Sequence, residues 1–191
     1  NYASAWTNCY MDEIRIVKGL AVYTGNFTVP TSRLSTTWAA NPFGGSNTVA
    51  NSTAANTKLL IHSNQSDHLF WEQDPTIGGG AVQVNDSVAK TNRGSTSHTN
   101  WNSSAWKFDG TGDYLLIPNV NYETPIGTGD YTIDFWIYPQ SQTGSYGQIF
   151  DLRDSGGSNG LVVEFHDTNP HLKLYDSSLR ITTANNSVPL D

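Results

Sequence analysis

Cysteine, methionine and charge are scarce in this chain, and each shortage closes off a class of protein. Of 191 residues, one is cysteine (Cys9) and one is methionine. A single cysteine excludes an internal disulfide and any metal site built from several thiolates. Charged residues make up only 14%, with 10 Lys and Arg against 17 Asp and Glu, a formal net charge of −7. Binding to a phosphate backbone needs a basic surface, so the balance argues against nucleic acid. No apolar run approaches the roughly 20 residues of a membrane-spanning helix, and hydrophobic residues are 37% in all. Aromatic residues are plentiful: 6 Trp, 9 Tyr and 7 Phe stand among many Ser, Thr, Asn and Gly. Aromatic side chains bury a large area each, so a core can form with few aliphatics. That mixture favours an all-β protein with many turns.

The pattern along the chain agrees. Residues 12–17 alternate, placing Ile14 and Ile16 on one face and Glu13 and Arg15 on the other. A Lys-Gly turn follows at 18–19, then an aromatic stretch, Pro30 and a Thr/Ser-rich exit. Residues 33–56 lose alternation and become small and polar, which reads as a linker or a long surface loop. A short apolar strand is expected at "TKLLIHS" (57–63), and "AVQV" (81–84) is strand-like. In "AWKFDGTGDYLLIP" two short strands flank a Gly-rich turn, with Asp109-Gly110 as the hairpin signal. "DYTIDFWIYP" (130–139) is the clearest strand, with Tyr131, Ile133, Phe135 and Ile137 on one face. If it is a central strand, Ile133 and Phe135 are buried. "GQIFDL", "GLVVEF", "HLKLYD" and "SLRIT" follow between turns, and no segment carries a helical apolar stripe. Short strands at this spacing suggest antiparallel sheets folded into a sandwich.

The pair "FDGTGDYLLIP" and "GTGDYTIDFWIYP" resembles the laminin G-like, concanavalin A-like jelly-roll modules of tailed-phage and marine bacterial surface proteins. Modules of that kind open on a strand like "TKLLIHS" and close on one like "YMDEIRIVKGLAVYTGNFTVPTS". The resemblance therefore implies that 1–32 is the closing strand and exit of a module. Residues 57–191 would be the opening and middle of another, without its closing strands. Two arrangements follow: a segment of a tandem array, or a circular one in which the first strand fills its own sandwich or a neighbour's.

Candidate chemistry is sparse. The resemblance brings in jelly-roll glycoside hydrolases, whose paired acids share one strand face and flank a glycosidic bond. Glu164 and Asp167 have the wrong spacing for that, and Asp12 and Glu13 are adjacent; both pairs point to opposite faces of a strand. Cys9 has no histidine near it in sequence, and no Gly-x-Ser-x-Gly elbow occurs. The expectation is a non-enzyme. His62, His68, His98, His166 and His171 show no recurrent zinc spacing, although His166 and His171 flank one turn and can approach. The resemblance implies calcium as a cofactor, held by loop carboxylates, with Asp151 and Asp154 of "DLRDSGGSNG" as the metal candidates. Asp109 and Asp113 of "DGTGD" are a second pair, but aspartates in turns commonly cap their own backbone. For glycan binding, Trp71, Trp101 and Tyr146 lie in polar loops or variable stretches and are the platform candidates. Six Asn-x-Ser/Thr sequons arise readily by chance in so Asn-rich a chain.

Together these readings describe a non-catalytic structural or adhesion module of an extended surface assembly, such as a phage virion fibre, tail or capsid-decorating protein. Its partners would be cell-surface glycans or neighbouring structural subunits, with no nucleic acid and no membrane insertion. Its place would be the virion surface or the extracellular space, and particles released by lysis need no export signal. The alternative is a carbohydrate-binding accessory module of a secreted bacterial adhesin or enzyme.

Overall fold

In the computed structural model, residues 6–27, 34, 56–61, 83–85, 89–92, 104–116, 129–140, 146–153, 160–176 and 178–188 are described. All regular elements among them are strands: β1 (Asn8–Lys18), β2 (Thr57–Ile61), β3 (Gln83–Asn85), β4 (Ala89–Asn92), β5 (Ser104–Asp109), β6 (Tyr114–Leu116), β7 (Tyr131–Pro139), β8 (Tyr146–Asp151), β9 (Leu161–His166), β10 (His171–Asp176) and β11 (Leu179–Thr182). All pairing between them is antiparallel. One sheet centres on β1, which pairs β7 along one side and shares the other between β5 and β2, with β4 beyond β5. A second sheet runs β11-β10-β9-β8, and β3 pairs β6 separately. The all-β expectation holds.

β1 is a central strand, and its sequence explains how. Cys9 and Met11 face the core at odd positions, whereas Ile14 and Ile16 face it at even ones. An alternating strand can switch parity only by inserting a residue. The register to β7 shifts between Asp12 and Arg15, and Glu13 there adopts φ 52°, the left-handed region. Its backbone N–H donates to the Asp12 carboxylate at 2.7 Å, which satisfies a group that the bulge takes out of the ladder. Before the bulge burial alternates; after it, Glu13 to Val17 are all buried. Two-sided burial arises because the chain after β1 folds back over the sheet's outer face, where Val17, Val22, Leu34 and Leu60 form a second cluster.

Polar links fix that fold-back. The Gly19 N–H donates to the Asp130 carbonyl at 2.7 Å, and the Val22 N–H to Thr132 Oγ1 at 2.8 Å. The Leu34 N–H donates to Glu13 Oε2 at 2.7 Å. Leu34, the second residue of the 33–56 stretch read as a linker or surface loop, is thus a buried anchor, and 33 and 35–55 lie outside the described residues.

The main core lies between the two sheets. Cys9, Met11, Ile14, Ile16, Leu59, Trp106 and Phe108 pack from the first sheet against Ile149, Phe150 and Leu152. Leu161 and Val163 of β9 meet Tyr131, Ile133 and Phe135 of β7. Ile137 also reaches the core, so the apolar face assigned to β7 is the observed one. Ile133 and Phe135 are only half-buried, however, because β7 has a described neighbour on one side alone. The hairpin expected at Asp109-Gly110 is corrected as well. β5 pairs β1 and β4, and β6 pairs β3, so this turn joins two sheets. Gly110 and Gly112, at φ 84° and 80°, make the reversal.

Candidate functional site

Rings and charges gather on the outer side of the second sheet. Leu161 and Val163 turn inward from β9, so Glu164 and His166 alternate with them toward the outside. A turn over Asp167–Pro170, with Asn169 at φ 58°, places His171 of β10 directly opposite His166. Tyr146 of β8 faces His166 from the other side. The three rings stack: Tyr146 on His166 at 5.6 Å and 25°, and His166 on His171 at 4.9 Å and 22°.

Hydrogen bonds set the histidines. His171 Nδ1 lies 2.7 Å from the Asn169 carbonyl, which only accepts, so Nδ1 carries a proton. His166 Nε2 lies 3.2 Å from Glu164 Oε2. Burial lowers the His166 pKa, the Glu164 hydrogen bond opposes this, and Lys173 and His171 add to the lowering. The imidazole is therefore neutral at pH 7. Exposure grades along the stack, from 8% at His171 to 42% at Tyr146. Tyr146 is a large exposed ring clamped from one face, which makes it a preorganised binding surface.

At the other end of β8, Asp151 is engaged. Arg153 Nε donates to Oδ1 at 2.8 Å and Nη2 to Oδ2 at 2.6 Å, and the Arg153 N–H also reaches Oδ1. Burial opposes ionisation of Asp151, but the Arg153 hydrogen bonds and charge outweigh it and hold the carboxyl below its usual range. A calcium ion at Asp151 would have to displace a bidentate guanidinium. Asp154, Trp71 and Trp101 lie outside the described residues. Among the described residues, no three His, Cys, Asp or Glu side chains converge as metal ligands would. Asp109 and Asp113 act as turn caps: Asp113 Oδ2 accepts from the Asp109 N–H, and Asp109 Oδ1 from the Thr111 N–H.

Cys9 and Arg15 belong to the interior. Cys9 is 1% exposed, and burial pushes its thiol far above the reactive range. Arg15, fully buried, pairs with Asp134 of β7 at 2.6 Å. Burial raises the Asp134 pKa against the pull of Arg15, and burial together with Asp134 raises that of Tyr23. This cluster locks the fold-back rather than opening to a ligand.

Sequence reasoning had the approach of His166 and His171, because four turn residues between two strands bring their ends together. The addition of Tyr146 depends on the β8–β9 register, which shifts between Gln148 and Phe150. No local signal announces that shift. In comparisons with protein-family models, curated proteins and solved structures, nothing matches this chain.

Proposed function

We propose that this chain is a non-catalytic adhesion module of an extended surface assembly, of the kind found in phage fibres, tails or capsid decorations. Its two sheets are read as parts of a laminin G-like jelly roll. Two antiparallel sheets sharing one core are consistent with that architecture.

The observation that carries the adhesive role is Tyr146. A flat ring that remains 42% exposed is held in one orientation by its stacking on His166, so it offers an open face whose ordering cost is already met. Saccharides pack their C–H faces on rings of this kind, and the polar groups around them supply orientation. The module would hold a cell-surface glycan on this ledge, in a larger assembly on a virion surface or outside a cell.

The test is retention on immobilised bacterial surface polysaccharides. The whole chain should be retained, and Tyr146→Ala should release it with its melting temperature unchanged. A folded chain retained by no polysaccharide would overturn the adhesive role.

A further inference from the structure

We infer that the ledge takes a neutral, hydroxyl-rich saccharide rather than an acidic one. The inference rests on the adhesion reading and specifies its ligand.

The stack decides which surface is offered. Its rings are nearly parallel, so His166, in the middle, has both faces covered and presents only edges. His171 is buried at the far end. What is left is the outer face of Tyr146, one ring wide and already fixed. Only a ligand with an apolar patch of about that size gains from it, and the C–H face of one sugar ring is such a patch.

The charges nearby are already matched. Asp151 is held by Arg153 through two side-chain bonds, and Glu164 by His166. With the His166 imidazole neutral, Arg153 and Lys173 offset Asp151 and Glu164. The chain as a whole carries −7. A charge-balanced ledge on an acidic protein has no field to draw in a uronate, sialate or phosphate, and the rest of the surface repels them.

The matched groups still have hydrogen-bonding capacity. Arg153 spends Nε and Nη2 on Asp151, and its side chain is 28% exposed, so the Nη1 donors remain for a ligand. Carboxylate oxygens accept more than one hydrogen bond each. Neighbouring sugar hydroxyls both donate and accept, which suits a donor–acceptor pair that is already neutral. Arg153 also lies within electrostatic reach of Glu164.

Affinity electrophoresis of the full chain tests this, through gels containing a neutral mannan or β-glucan and gels containing alginate, a polyuronate. At least one neutral polymer should retard the chain. The retardation should change by no more than about twofold between about 0.05 and about 0.5 M salt, because no ion pair forms. Tyr146→Ala should weaken it by about tenfold or more, while Arg180→Ala, at an exposed residue of β11 paired with Asp176, leaves it unchanged. Retardation by alginate alone, fading with salt, would overturn the neutral ligand and leave the adhesion role standing. Neutral binding that survives Tyr146→Ala would overturn the ledge as its site. Retardation by none of the polymers would overturn the adhesion role itself.

Discussion

Arg15 shows how much a single position can hide. It reads as the polar member of an alternating strand, yet it is fully buried against Asp134, 119 residues away. Alternation told which face Arg15 takes; it could not tell that Val22 and Leu34 return to cover that face. Removing one partner of a buried pair strands the other charge, so Arg15→Ala should cost about 3–5 kcal/mol in chemical denaturation. The double change Arg15→Met with Asp134→Leu should cost far less, and equal losses would show that packing rather than charge is at stake. Gly160 carries a sharper steric constraint. Its φ is 123°, and a Cβ there would sit 2.4 Å from the Leu152 carbonyl oxygen and 2.7 Å from the Arg153 Cα. Both are backbone atoms and cannot swing aside. Gly160→Ala should therefore lower the melting temperature markedly and disturb the neighbouring Asp151–Arg153 pair, whereas an unchanged melting temperature would show that the contact of Gly160 with Leu152 and Arg153 yields easily. The run "DSGGSNG" announced a turn, but not which of its glycines the close approach requires.

At the level of elements, legibility followed burial. β7 alternates cleanly in sequence, and its apolar face was readable because one rule, period two, holds along it, whereas β9 is buried at Leu161, Val162 and Val163 in succession. β1 obeys that rule only in two halves joined at Glu13, so reading 12–17 alone gave the correct face for Ile14 and Ile16 and missed the strand's first half. Deleting Glu13 would make β1 regular, with Cys9, Met11, Ile14 and Ile16 at alternate positions on one face and still toward the core. It would remove the carboxylate that accepts from the buried Leu34 N–H. The expected result is a lower melting temperature with cooperative unfolding retained, and a deletion variant as stable as the parent would show that the bulge and its link to Leu34 are incidental. On β7, Phe135 packs edge-on against Phe150 with ring centroids 5.1 Å apart, but it is only half-buried. Phe135→Ala should accordingly cost less than the roughly 3–5 kcal/mol of a fully buried phenylalanine. A larger loss on denaturation would mean that this edge of the sheet is more tightly covered than its exposure indicates.

Over the whole molecule, the ledge could not be read in sequence because it draws one ring from each of three strands. It does have a titration signature. His166 is held below its ordinary pKa, so the unfolded chain takes up that proton first as pH falls. Stability from this group is thus present above about pH 6.5 and is lost as the pH drops through the lower folded value. Melting temperature should fall between pH 7 and pH 5, and His166→Phe, which keeps the stack, should flatten part of the fall. The largest consequence of the topology concerns β1. It is the shared partner of β2, β5 and β7, and it sends Cys9, Met11, Ile14 and Ile16 into the core. Each such side chain is worth about 1.5–3 kcal/mol when buried, so together they rival the roughly 5–15 kcal/mol that keeps a domain folded. Without β1, three strands also lose their ladder on one side at once, and exposed strand edges aggregate. A fragment of residues 57–191 should therefore be soluble poorly or not at all, without a cooperative transition. Adding a peptide of residues 8–24, which supplies β1 with Val22 and Tyr23 of the fold-back, should restore one. If 57–191 alone melts cooperatively as a soluble monomer, β1 is a cover laid on a finished sandwich and not its central strand.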